Sequence, residues 1–128
     1  MAGSMIVSKG NPGGKVQKIV CNWVGDATDG SVPITLIKTF AGVILRVVTD
    51  PGTTAPTALY DITLTDENGL DVLNGNGADR SATVTEQCFP TVATVPVECP
   101  VVGALTLTIT NNIVVSATGS VIVYIREE

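Results

Sequence analysis

Residues 104–110, ALTLTIT, alternate without a break: Leu105, Leu107 and Ile109 against Thr106, Thr108 and Thr110. A period of two sends alternate side chains to opposite faces of an extended strand, one for a core and one for solvent. Threonine suits the second face, because it favours β structure and stays soluble without charge. The same period returns in KVQKIVCNWV (15–24), with Ile19, Cys21 and Trp23 on one face. It returns again in LYDITLT (59–65), with Tyr60, Ile62 and Leu64 together, and in SVIVYIRE (120–127). PITLIKTF (33–40) and GVILRVVTD (42–50) predict two more strands. In the latter, Val43, Leu45 and Val47 alternate against Ile44, Arg46 and Val48. Both of its faces are then largely apolar, as a central or interface strand requires. LDVL (70–73) reads as a short returning strand, and Thr91–Val97, bracketed by Pro90, Pro96 and Pro100, as an edge or a loop. Residues 78–87 leave room for one helical turn. Turn-forming clusters separate these runs about every 8 to 12 residues. The expected fold is all-β: an antiparallel β-sandwich or β-barrel of about eight short strands with little helix.

The first fourteen residues, MAGSMIVSKGNPGG, are small, polar and rich in Gly and Pro. They read as a flexible N-terminal arm over 1–14, followed by a single β-domain over 15–128. Hydrophobic residues make up 45% of the chain but aromatics only 4%, so the core has to be built from Val, Ile, Leu and Ala. Charged residues reach only 15%, against about 25% in ordinary soluble domains, and mean hydropathy is +0.40. No apolar run approaches the roughly 20 residues of a membrane helix, so no membrane is expected as partner. The apolar excess is expected to be buried against copies of the chain or another protein. A net charge of -5 argues against nucleic acid, since only seven Lys and Arg are present and they are scattered.

Histidine is absent. That removes the commonest general base, the commonest zinc ligand and every Ser-His or Cys-His arrangement. Cys21, Cys88 and Cys99 have no CxxC spacing and read as buried thiols of a protein made in a reducing cytoplasm, with a Cys88–Cys99 bridge left open. Residues 60–80, YDITLTDENGLDVLNGNGADR, hold five carboxylates and three asparagines. Such oxygen ligands suit Ca²⁺, yet Gly69 falls at the wrong place for an EF-hand loop. Asn68-Gly69 between two apolar runs instead predicts a hairpin with a type I′ turn. The Gly-x-Gly pair at 75–77 lacks the third glycine and following helix of a nucleotide fingerprint and the G-K-[ST] of a P-loop. No catalytic, cofactor-binding or metal-binding residue is expected. A hydrolase built on Asp66 and Asp71 is the weakest reading, because so few aromatics are present to line a cleft.

The pieces KIVCNWVGDATDGSVP, GVILRVVTDPG, APTALYDITLTDENGLDVLNGNGADRSATVTEQ and GALTLTITNN, followed by GSVIVYIRE, give the chain a further reading. Over about residues 15–126 it resembles small virion structural proteins of tailed bacteriophages, LYDITLTDENGLDVL and VIVYIR most of all. The resemblance implies a head decoration, or cement, protein on the outer capsid surface of the virion, synthesised in the host cytoplasm. Its partners would be the major capsid protein and copies of itself, often as a trimer. It offers no catalytic residues to carry over. A head–tail joining or tail protein, or a small module binding a host surface, are the alternatives. The residues expected to touch partners are Met5, Ile6 and Val7, which could add a strand to a neighbour's edge, and Asn74, Asn76, Asp79 and Arg80 in the glycine-hinged loop.

Overall fold

The computed structural model describes residues 2–10 and 15–127, and all of its regular structure is β. The strands are β1 (Ser4–Gly10), β2 (Val16–Val24), β3 (Thr35–Pro51), β4 (Asp61–Thr65), β5 (Glu86–Cys88), β6 (Thr91–Val92), β7 (Val95–Pro96), β8 (Cys99–Thr110) and β9 (Thr118–Glu127). Seven of them form one antiparallel sheet in the order β1-β2-β9-β3-β8-β4, with β5 beside β3, while β6 and β7 make a separate small hairpin. The sheet is open, with β1 and β4 at its ends, and so is not a closed barrel.

The 17-residue β3 organises the molecule. Its first half, from Thr35 to Ile44, pairs with β8, and its second half, from Gly42 to Pro51, pairs with β9. Register shifts at Ile37 and Leu45 insert an extra residue at each place, and such bulges bend a strand and increase its twist. One wing (β1, β2, β9 and the end of β3) can therefore face the other (the start of β3, β8 and β4) in a sandwich-like arrangement. The closure is visible where Trp23 of β2 meets Tyr60, just before β4, with ring centroids 5.8 Å apart. Asn112 ties the same region together, donating to Gly30 O at 2.7 Å and accepting from Thr57 N at 3.0 Å.

The core lies between the wings and follows the alternation of the strands. Leu105, Leu107 and Ile109 are buried, as are Ile19, Cys21 and Trp23, and Tyr60, Ile62 and Leu64. Two glycines are set by packing. A Cβ on Gly119 would lie 2.7 Å from the Trp23 indole, and one on Gly42 would collide with Arg126 O.

Four expectations are corrected. Residues 33–40 and 42–50 do not form two strands but the single β3, and the bulge at Leu45 turns both Ile44 and Val47 inward, breaking the simple alternation. LDVL pairs only through an isolated Thr65–Asp71 bridge before the chain turns away. Residues 78–87 hold no helical turn, because the Ser81 hydroxyl accepts from the backbone of Thr83 and Val84, and β5 follows. The expected arm is, over Ser4–Gly10, strand β1 in full register with β2. Met5 and Val7 face Trp23 and Cys21 and pack on the core, which explains why this Gly-flanked stretch is held. Residues 11–14 and Met1 lie outside the described residues.

Candidate functional site

The acid-rich stretch after β4 is built by its own carboxylates. Gly69 N donates to Asp66 O at 3.0 Å and Asp66 N to Leu70 O at 3.0 Å, with positive φ at Gly69 (78°) but not at Asn68. The hairpin therefore turns through Glu67 and Asn68 with Gly69 as the left-handed residue, a type I turn with a glycine bulge in place of type I′. Asp66 Oδ1 accepts from the amides of Asn68 (2.9 Å) and Leu70 (3.1 Å). Asp71 takes three amides: Leu64 at 3.1 Å, Leu73 at 3.2 Å and Gly75 at 2.9 Å. Asp61 accepts from Asp79 N at 2.8 Å and from the Asn111 side-chain amide. These carboxylates do the work of turn formation. Among the described residues no group of three His, Cys, Asp or Glu is placed to hold a metal ion.

The partner-contact residues expected from sequence fall in two places. Met5, Ile6 and Val7 sit on β1 at one end of the strand order, and only Ile6 of the three is exposed, at 69%. Asn74, Asn76, Asp79 and Arg80 border β4 at the other end, through Tyr60–Arg80 pairing. Asn74 donates to Thr91 O (3.3 Å), and Asn76 to Phe89 O (3.1 Å) and Thr91 Oγ1 (2.7 Å). Arg80 folds back onto Ala78 O and faces Glu86 at 3.9 Å. The loop is thus fastened to residues 89–91 of its own chain, leaving Asn74 and Asp79 on the surface.

Between this loop and the β6–β7 hairpin lies an open depression of about 530 Å³, bordered by Asp71, Asn74, Thr91, Val92 and Cys99. Leu70 and Val92 stand exposed on its lining, at 65% and 64%. The sequence gives no warning of this apolar rim, because each residue is isolated in its own turn. Cys99 offers no activated thiolate there, since partial burial and the nearby Asp66 push its pKa up. Burial does the same to Cys88 and lifts Cys21 to about 12. All three thiols are free. Cys88 lies opposite Val47 and Cys99 opposite Ile44 on β3. Three residues of strand put their Cα atoms roughly 9–10 Å apart, beyond the reach of a disulfide. The bridge left open by the sequence does not fit this register.

Known protein families, curated proteins and solved structures were compared with the chain, and none of the three gives a match.

Proposed function

We propose that the chain is a non-enzymatic structural protein of a tailed-phage virion, a capsid decoration protein that binds the outer head lattice and stabilises it as an oligomer. One observation carries the reading. Among the described residues, thirteen Val, Leu and Ile side chains are exposed although the core is already filled. Ile34, Leu36 and Val102 stand exposed on or beside the β3–β8 pair, where Leu36 faces the uncharged Thr106. Val92 and Val95 crown the small hairpin. Aliphatic surface of this kind, with few charges between, favours lasting burial against neighbouring subunits. The use of Asp61, Asp66 and Asp71 as backbone acceptors supports a role without acid–base chemistry.

Quantitative mass spectrometry of purified particles tests this. Decoration requires hundreds of copies per particle, and heads that carry the protein should resist heat better than heads without it. A copy number near six or twelve would move the chain to the head–tail junction.

A further inference from the structure

The fold gathers charges that look scattered in sequence. Lys9 lies near the end of β1, Lys15 and Lys18 stand at the start of β2, and Arg126 lies near the end of β9. These strand ends adjoin, and Lys38 and Arg46 of β3 join them, Lys38 through Glu127 at 2.7 Å. Of the seven basic residues only Arg80 lies elsewhere. On the outer face of the sheet the register makes a row: Gly10 opposite Lys18, Lys18 opposite Tyr124, Tyr124 opposite Arg46. The Arg46 guanidinium lies 4.3 Å from the centre of the Tyr124 ring and donates to Gln87 at 2.8 Å. Depressions of about 250 and 390 Å³ flank that ring, one beside Lys18 and one beside Arg46. Among the described residues the carboxylates near the strip are engaged: Glu127 with Lys38, Glu98 with Arg126 at 2.6 Å, and Glu86, which lines the depression beside Arg46, with Ser81 N at 2.7 Å. Among the described residues, Lys15, Lys18 and Arg46 form no ion pair.

The opposite end of the same strands is acidic. β2 runs out into the turn that holds Asp26 and Asp29, and Asp50 lies opposite Ser120 near the start of β9. Asp61 joins them beside Asn111, next to the Asn112 that holds Gly30. Arg80, near Asp61 through its pairing with Tyr60, already faces Glu86. About 13 Å of strand separates Arg46 from Asp50, and about 20 Å separates Lys18 from the end of β2 at Val24.

We propose that the Lys18–Tyr124–Arg46 strip receives the acidic end of a second copy of this chain, so that copies associate head to tail. The proposal rests on the oligomeric structural role and names its contact surface. Opposite potentials on the two ends of one molecule steer such an encounter, and Tyr124 supplies a ring to bury among the charges. A two-fold axis through the strip itself would set like charge against like. The contact is therefore either heterologous, closing as a ring if the rotation permits, or an antiparallel two-fold pair in which each strip meets the other copy's acidic end.

Sedimentation of the full chain at about 20 mM and about 500 mM salt, where screening differs severalfold, is the test. Discrete multiples of the monomer are expected at low salt and monomer at high salt. Lys15→Glu with Lys18→Glu, both exposed, should weaken low-salt association at least about tenfold. Asp29→Lys with Asp50→Lys should do the same, and thermal melts report whether each variant is folded. Mixing the two variants should restore association, because one is then acidic at both ends and the other basic at both. A low-salt oligomer that neither charge pair weakens, or a mixture that stays apart, overturns the strip as the contact. A salt-resistant oligomer of that kind leaves the oligomeric role standing. A monomer at every salt that binds heparin through Lys18 and Arg46 overturns self-association and gives the strip to a polyanion.

Discussion

β4 and the segment that follows it are neighbours in sequence but are ordered by different forces. Asp61–Thr65 pairs with β8 residue for residue, with Ile62 and Leu64 facing Ile109 and Leu107 in the core and Thr63 and Thr65 facing Thr108 and Thr106 outside. After Thr65 this ladder ends, and residues 66–80 are held by turn hydrogen bonds of the backbone, such as Asn74 N to Asp71 O and Arg80 N to Tyr60 O, together with side chains reaching the backbone, Asp66, Asp71 and Asn76 foremost. The first stretch is stabilised by apolar burial and a regular ladder, the second by hydrogen bonds to carboxylates and amides. Ligand-rich composition in the second stretch is thus a consequence of irregular backbone, several of whose amides, such as those of Asn68, Leu73 and Gly75, are met by carboxylates instead of a strand partner.

The largest effect is expected in the paired region. Leu107 is fully buried between Leu64 and the β3 side of the sheet. Leu107→Ala should cost about 3 kcal/mol through lost burial and a cavity, read as a lowered urea midpoint. On the other face Thr108→Ala should cost only about 0.5 kcal/mol, since it removes one cross-strand contact. Equal losses at the two positions would mean that the face of β8 has been misassigned.

In the irregular region the comparable position is polar. Asp71→Ala leaves three backbone amides without their acceptor and should cost about 2 kcal/mol. Asp71→Asn keeps a carbonyl acceptor for part of the set and should recover about half of that loss. Hydrogen exchange should quicken first at Leu73 and Gly75. An Asp71→Ala protein as stable as the original would show that the segment is held by its buried Val72 and Leu73 alone.

The same contrast explains what could be read from the chain. The faces of β2, β4, β8 and β9 were legible because a period of two survives wherever strands are unbroken. The faces of β3 are not legible in sequence because an extra residue at Ile37 or Leu45 carries no mark: neither is Gly or Pro, yet each reverses the face that follows. Residues 1–14 read as an arm because they are small, polar and rich in Gly and Pro, and the inward pair Met5 and Val7 that holds Ser4–Gly10 is too short a signal to outweigh that composition. The hairpin at 66–70 was legible from Asn68-Gly69, whereas its turn type was set by the Asp66 carboxylate. The basic strip could not be seen at all. Lys18, Arg46 and Tyr124 are distant in sequence, and only the β2-β9-β3 pairing makes them adjacent.

The smallest effect has the opposite sign. In the β6–β7 hairpin Val92 pairs with Val95, and the two residues between them, Ala93 and Thr94, have φ of 48° and 71°. Two positive φ values in a two-residue loop define a type I′ turn, which favours Asn-Gly and disfavours a β-branched residue. Ala93→Asn with Thr94→Gly should therefore raise stability by about 1 kcal/mol, a rise of about 3–5 °C in Tm. Unchanged or reduced stability would mean that the turn is not of this type. The hairpin also borders the depression lined by Leu70, Val92 and Ala93, so the variant separates two reasons for the strained turn. If it gains stability and still binds heads, the strain serves no contact. If it gains stability and loses head binding, Thr94 and the apolar lip it positions belong to the interface, and the irregular region would carry function that the regular one does not.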